Sequence, residues 1–360
     1  MHQSVRVLHI IDTLWLGGAQ TIQKEYFENQ PENSDIFLYA LRRSDPQLKI
    51  KHPNISVYNS FSRFSFYPLI ALKKHIEQNK IDILHCHLLR SHFTGYLLKL
   101  FFFRNIRLVI HEHGDILENS GLSSFILKII KRKADVFITC SEALKKTLVE
   151  KIEVDAAAVK TVYNFVNAQK NKTPILQVIP EASQPERFYI GFAGRLIRRK
   201  GWEQLIEAAK ILIPETNVYF EIAGEGPDKA KILDKIKAHQ LKNVTLRGYT
   251  KNMDLFYNKL NCLIVPSHYE PMGMVAIEAQ AFGVPVIASN VSGMNELLLD
   301  EWNALLFTPG NATELVTCIK KMKDNNNLRN KLIINGFENS KVYSFENYKN
   351  NIDNIYLNIF

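Results

Sequence analysis

No apolar run in the 360 residues approaches the ~20 needed to cross a bilayer. The opening stretch, MHQSVRVLHIIDT, has no basic head, long apolar core or small-residue cleavage site, so no secretory leader is expected and the cytoplasm is the expected location. The four cysteines, Cys86, Cys140, Cys262 and Cys318, lie far apart and form no C-x-x-C pair. That spacing fits reduced, structural thiols and argues against zinc. No intact G-x-G-x-x-G occurs, which removes the phosphate fingerprint of a Rossmann dehydrogenase. No nucleic-acid recognition motif accompanies the net charge of +9, six units of which fall in residues 1–165. Such an excess suits an anionic membrane or an anionic substrate.

Hydrophobic residues make up 46% of the chain, enough for two cores. The first half repeats an apolar run, a turn and a helical period. VRVLHII (5–11), DIFLYAL (35–41), ISVYN (55–59), IDILHCHL (81–88), IRLVIHEH (106–113) and ADVFITCS (134–141) read as strands. Continuous rather than alternating apolar runs mean strands covered on both faces, and strand–helix alternation means a parallel, doubly wound sheet. The pattern stops in a proline-bearing, polar stretch at 166–187, expected to be a linker. It restarts with FYIGFAGR (188–195), VYFEIAG (218–224), VTLRG (244–248), CLIVPS (262–267), PVIAS (285–289) and ALLF (304–307), and the tail from about 311 reads as helical.

In open α/β sheets ligands bind beyond the carboxyl ends of strands, and the polar clusters fall there. Gly17 and Gly18 follow the first strand and open a helix. GEGPDK (224–229) is a second glycine turn that lacks the third glycine of a dinucleotide loop. GFAGRLIRRKG puts Arg195, Arg198, Arg199 and Lys200 in one loop, where cations can neutralise a pyrophosphate or simply face water. The stretch HYEPMGMVAIEAQAFGVPVIAS sets Glu270 in a loop at a strand end and Glu278 about a turn and a half into a helix. Gly273 leaves that helix N-terminus open to an anion, and Gly283 and Pro285 end the helix. The apolar neighbours of Glu278 predict a buried carboxylate, which is costly without a partner. A ligand with hydroxyls on both sides of a phosphate, such as a sugar nucleotide, would satisfy both glutamates.

Taken together, E-x₇-E within EPMGMVAIEAQAFGVPVIAS, the preceding VPS and GFAGRLIRRKG resemble the retaining glycosyltransferases of the GT-B fold, glycosyltransferase family 4. LGGAQ, IDILHCH, IAGEGP and ENYKNNIDNIYLNIF extend the resemblance along nearly the whole chain. It implies an α/β fold of two Rossmann-like doubly wound domains facing across a cleft. An acceptor-binding domain would span 1–165, a linker 166–187, and a nucleotide-sugar donor domain 188–340. A C-terminal helix, 341–360, would pack back on the first domain. Carried over, Arg195 and Lys200 clamp the donor diphosphate, and the backbone of Gly273 and Met274 cradles its phosphate. Glu270 binds the transferred sugar, Glu278 the ribose, and the segment ending in Gly248 and Tyr249 the base. His113, before Gly114, lies over the reaction centre, with Gly17, Gly18 and His87 in the acceptor or phosphate loop.

Two H-x-H pairs, His85/His87 and His111/His113, point each pair to one side of a strand, where an ion can bind. No D-x-D occurs, and Arg195 and Lys200 stand where a metal would; no metal and no cofactor are expected. The chain departs from the family at SGMNELL (Ser292, Asn295), at DEWNALLF, and at NFVN, where Asn164 matches and Phe165 does not.

The expected function is transfer of a sugar from a nucleoside-diphosphate sugar, UDP-linked in preference to GDP-linked, to a glycan or lipid-linked acceptor. A non-hydrolysing sugar-nucleotide epimerase shares the architecture, and an inactive nucleotide-sugar-binding subunit is the alternative of another class. Both fit the basic loop with paired glutamates less well. HFTGYLLKLFFFRNIR (92–107) is basic and aromatic, which suits either a helix covering the sheet or an anionic membrane surface.

Overall fold

A computed structural model describes residues 5–15, 17–42, 50–58, 67–114, 120–166 and 187–360. The chain forms two compact units, Met1–Asn164 with Phe345–Phe360, and Phe165–Ser344. The segment expected as a linker lies, but for its two ends, outside the described residues; Val166 at its start donates its backbone N–H to Tyr343 O at 2.9 Å. The last helix, Phe345–Ile359, belongs to the first unit. It begins later than the expected 341, because Lys341–Tyr343 is a separate 3₁₀ turn.

The first unit holds seven parallel strands among the described residues. They are β1 (Val7–Ile11), β2 (Ile36–Ala40), β3 (Ile55–Val57), β4 (Ile83–His87), β5 (Arg107–Glu112), β6 (Val136–Thr139) and β7 (Val159–Thr161), in the order β3-β2-β1-β4-β5-β6-β7. Every residue of β1, β4 and β6 is buried, as continuous apolar runs require when helices cover both faces. The order reverses direction between β1 and β4, so the loops leaving these strands diverge and open a crevice at their carboxyl ends.

The second unit repeats the plan with six parallel strands: β8 (Phe188–Ala193), β9 (Val218–Ala223), β10 (Val244–Gly248), β11 (Cys262–Val265), β12 (Val286–Ser289) and β13 (Ala304–Phe307). Their order is β10-β9-β8-β11-β12-β13. Phe188, Ile190 and Phe192 of β8 pack with Trp202, Leu205, Ile206 and Ala209 of the helix Trp202–Ile211. The spacing of those helical positions places one apolar stripe on the sheet. Here the order reverses between β8 and β11, and the loops after these two strands carry the basic cluster and Glu270. No helix among the described residues is long and apolar enough to cross a membrane.

Candidate functional site

The loop after β8 is held by backbone contacts that only glycine permits. A Cβ on Gly224, whose φ is +148°, would stand 1.9 Å from Gly194 O. One on Gly226 would stand 2.4 Å from Leu196 O. With side chains gone, Leu196 N donates to Glu225 O at 2.9 Å and Asp228 N to Leu196 O at 3.1 Å. The glycines of GEGP therefore lock two loops together, which is a closer-packed role than a tight turn alone. Gly201 closes the loop with φ +73°, and its missing Cβ would lie 1.8 Å from Pro266 O. This approach brings the β8 and β11 loops into contact.

Across that contact Lys200 Nζ meets Glu270 Oε2 at 2.6 Å, with side-chain exposures of 20% and 9%. Ser267 Oγ donates to the same oxygen at 3.0 Å. Ser267 is itself held by Ser289 Oγ, which donates to Ser267 O at 2.5 Å. Sequence reasoning placed Lys200 on a diphosphate and Glu270 on a sugar; the structure joins them directly. Arg195 is exposed, and no ion pair involves it among the described residues. Arg198 faces Glu203 at 3.5 Å on the surface, and Arg199 lies over the Tyr269 ring.

The helix Met274–Ala281 starts at Gly273, in the left-handed region with φ +93°. A Cβ there would strike Met294 Sδ at 2.2 Å, and one on Gly293 would strike Glu270 O at 1.9 Å. The divergent SGMNELL segment thus supports the turn that carries Glu270. The helix ends as expected at Gly283, φ +69°. Glu278 is half-buried, not buried: its helix neighbours Ile277 and Ala279 are inside, but its own side chain lies at the margin. Buried Tyr257 donates its hydroxyl to Glu278 Oε2 at 2.9 Å. Burial, and then the Glu278 charge, push the Tyr257 phenol well above its ordinary range, so it stays a donor. Gly248 ends β10 with φ +72°, and Tyr249 beyond it is exposed.

In the first unit, Gly17 is extended, φ −177°, and caps the helix Gly18–Glu28, while a Cβ on Gly18 would meet nothing within 4 Å. The loop leaves open space rather than relying on a special backbone shape. Beside it the β1–β4–β5 registers align His9 with His85 and His87 with His111. The rings form one chain. His9 Nδ1 lies 3.1 Å from Gln23 Oε1 and 3.0 Å from His87 Nε2; His87 Nδ1 lies 3.0 Å from His113 Nε2. His9 Nε2 lies 3.0 Å from Tyr356 Oη, which lies 2.5 Å from His85 Nδ1; His85 Nε2 lies 3.1 Å from His111 Nδ1.

Burial drives these imidazoles to the neutral form. His9 and His113 are lowered to about 3, and His85, His87 and His111 lie well below the usual range. Nitrogens of His9, His85 and His87, and of His87, His111 and His113, come within 4.8 Å of one another, close enough to share an ion, but they already face each other as hydrogen-bond pairs. Of this string, sequence reasoning singled out His85, His87, His111 and His113. It missed His9, Gln23 and Tyr356. A lone histidine inside the apolar run of β1 was the available signal for His9; Tyr356, 271 positions from His85, left none.

Comparison with known proteins bears on both units. Residues 177–339 match the sequence profile described as Glycosyl transferases group 1, and residues 17–170 that of Glycosyltransferase Family 4. An uncharacterized glycosyltransferase of Methanocaldococcus jannaschii is 31% identical over 281 residues, covering 76% of this chain and 74% of its own length. A UDP-Gal:alpha-D-GlcNAc-diphosphoundecaprenol alpha-1,3-galactosyltransferase of Escherichia coli is 24% identical over 371 residues, covering 93% of this chain and 94% of its own. Among solved structures, Anabaena HepE in complex with UDP and glucose superposes with a TM-score of 0.83 at 19% identity, covering 98% of this chain and 99% of that one.

Proposed function

The chain belongs to the glycosyltransferases of group 1 and family 4, enzymes of the GT-B architecture, and from that premise we propose that it transfers a sugar from a UDP-sugar, in preference to a GDP-sugar, with retention and without a metal. The acceptor we propose is a glycan or lipid-linked sugar of bacterial polysaccharide or glycolipid assembly. The observation that carries this reading is the Lys200–Glu270–Ser267 cluster at the β8/β11 crevice, beside the helix N-terminus at Gly273, which no side chain caps. Lys200 with exposed Arg195 supplies positive charge for a diphosphate, and the helix N-terminus adds free N–H groups. When a donor arrives, Lys200 exchanges Glu270 for phosphate oxygens, and Glu270 turns to the hydroxyls of the transferred sugar. Glu278, oriented by Tyr257, accepts from the ribose. His113 we assign to the reacting carbon from the family pattern alone. HepE was solved with UDP and glucose, which supports the donor class, and the galactosyltransferase relative is named for a UDP-sugar and a lipid diphosphate, which supports donor and acceptor classes.

A thermal-shift panel of UDP- and GDP-sugars tests the donor, and turnover of the stabilising sugar nucleotide in excess chelator tests the metal. UDP-sugars are expected to raise the melting temperature and transfer to persist in chelator. Activity lost in chelator and restored by Mn²⁺ or Mg²⁺ would remove the metal-free reading. The two glutamates separate further. Glu278→Gln is expected to weaken free UDP and UDP-sugar alike. Glu270→Gln is expected to leave UDP affinity unchanged or tighter, since Lys200 is released, while transfer fails. Equal losses of UDP affinity in both variants would contradict these roles.

An anionic membrane also fits one surface of the first unit, at the end of the sheet opposite the crevice. At the amino ends of β4 and β5, Phe102, Phe103, Arg104, Arg107 and Phe360 line an open cavity of about 520 Å³. Phe101, Phe102, Leu357 and Phe360 are exposed there. Aromatic side chains beside arginines suit an anionic membrane interface. Salt-sensitive co-sedimentation with phosphatidylglycerol vesicles, and none with phosphatidylcholine, is the expected result; a supernatant protein at low salt would favour a soluble acceptor.

A further inference from the structure

The histidine string of the first unit carries a constraint that no single ring shows. It consists of five imidazoles and one phenol, joined by five contacts: His113–His87, His87–His9, His9–Tyr356, Tyr356–His85 and His85–His111. Burial keeps each imidazole neutral and holds the Tyr356 phenol protonated, so each of the six groups brings one proton. Each contact consumes one. One proton is left: it stands on an end nitrogen, His113 Nδ1 or His111 Nε2, unless the Tyr356 hydroxyl accepts from both neighbours and turns its own O–H out of the string. Both end nitrogens are buried and without a hydrogen-bond partner among the described residues. Because a neutral imidazole is a donor at one nitrogen and an acceptor at the other, a proton on His9 Nδ1 fixes all of them.

Gln23 does the fixing. Its amide oxygen faces His9 Nδ1 at 3.1 Å while its Nε2 has no partner among the described residues, and in that amide orientation the proton stands on His9 Nδ1. His9 then shares its one Nδ1–H between Gln23 Oε1 and His87 Nε2, His87 donates from Nδ1, and His113 accepts at Nε2. On the other arm Tyr356 donates to His9 Nε2, His85 donates from Nδ1 to Tyr356, and His111 donates from Nδ1 to His85. We infer that Gln23, through His9 and His87, holds His113 in the Nδ1–H tautomer, so that its one remaining nitrogen, which is buried, is a donor and never an acceptor to any group that comes to reach it. Gln23, His9 and His87 are thus positioning residues. The consequence for the reaction rests on the proposed place of His113 at the reacting sugar. There a neutral N–H suits an electron-rich oxygen of the sugar or of the departing diphosphate, whereas a bare nitrogen would repel it.

The tautomers are read directly from long-range ¹⁵N–¹H spectra of histidine-labelled protein, with no substrate needed. In the wild-type protein all five rings are expected to carry the proton on Nδ1. Gln23→Met removes the selecting oxygen, and the His113 signals are expected to move to averaged positions, with His9 and His87 moving in step. Tyr356→Phe cuts the string beyond His9 but keeps Gln23–His9–His87–His113, so His113 is expected to remain Nδ1–H. His113 found as Nε2–H in the wild-type protein overturns the inference even if no variant folds. An unchanged His113 in folded Gln23→Met overturns the role of Gln23. Wild-type turnover in His113→Ala would instead remove His113 from the reaction and leave the tautomer result standing.

Discussion

Acidification from about pH 7.5 to about pH 5.5 is expected to take roughly 5–7 kcal/mol from the stability of the amino-terminal unit, close to the whole stability of many domains. Five histidines, His9, His85, His87, His92 and His111, are at most 1% exposed. Burial lowers all of them from the ordinary 6.5, His9 to about 3 and His92 to about 4. Above 6.5 folded and unfolded chains bind the same protons at these sites, and the contribution to stability is intact. Below 6.5 the unfolded chain takes up protons that the folded one refuses, so stability falls as pH drops toward the folded values. Each fully buried histidine adds on the order of 1 kcal/mol per pH unit in that window. His113 is left out of the sum because its side chain is only partly enclosed. Hydrogen exchange in peptides from β4 and β5, corrected for the intrinsic pH dependence, would show protection collapsing between these two pH values. The second unit, whose two histidines are the half-buried His239 and the exposed His268, would keep its protection. Equal protection of β4 and β5 at both values would refute the account.

The other large effect lies at Lys200. Lys200→Met should lower UDP affinity roughly 10–100-fold through loss of a charge-assisted contact. It should also destabilise the second unit by roughly 2–3 kcal/mol, because Glu270, 7% exposed, is left with Ser267 as its one side-chain partner among the described residues. Residual exposure of the lysine holds that figure below the cost of breaking a fully buried pair. In Lys200→Met/Glu270→Gln the stranded charge is gone, so stability should largely return while UDP affinity stays low. Urea unfolding and calorimetry on the three proteins separate the two roles. A double variant as unstable as the single one would mean that the pair contributes nothing of its own.

The strands with long apolar runs were readable from sequence because a strand buried on both faces needs no more than continuity. β7, Val159–Thr161, at the sheet edge with exposed Lys160, carried no such run. Glu270 and Glu278 could be found because carboxylates stand out in apolar surroundings, but their environments could not. Whether Glu278 lies inside depends on where the helix edge meets solvent, and the Lys200–Glu270 pairing depends on the Gly201–Pro266 approach between two distant loops. The same holds for the histidines. Alternation put His85 and His87 on one side of β4, yet only the pairing of β1 with β4 brings in His9, and only the docking of the last helix brings in Tyr356.

That last helix also orders events during synthesis. The first unit is built from residues up to Asn164 and from Phe345 onward, and everything needed for the second is contained in 165–344. Residues 165–344 are therefore synthesised before Phe345–Phe360, so the sequence of the second unit is complete while the first still lacks its last helix, the reverse of the usual amino-to-carboxyl order of domains. Until the helix Phe345–Ile359 emerges, His9 and His85 lack the phenol of Tyr356, and the nascent first unit waits with a buried polar row unfinished. Stalled or truncated chains ending short of Tyr356 should accumulate in a protease-sensitive form whose cleavage sites cluster in the first half of the chain.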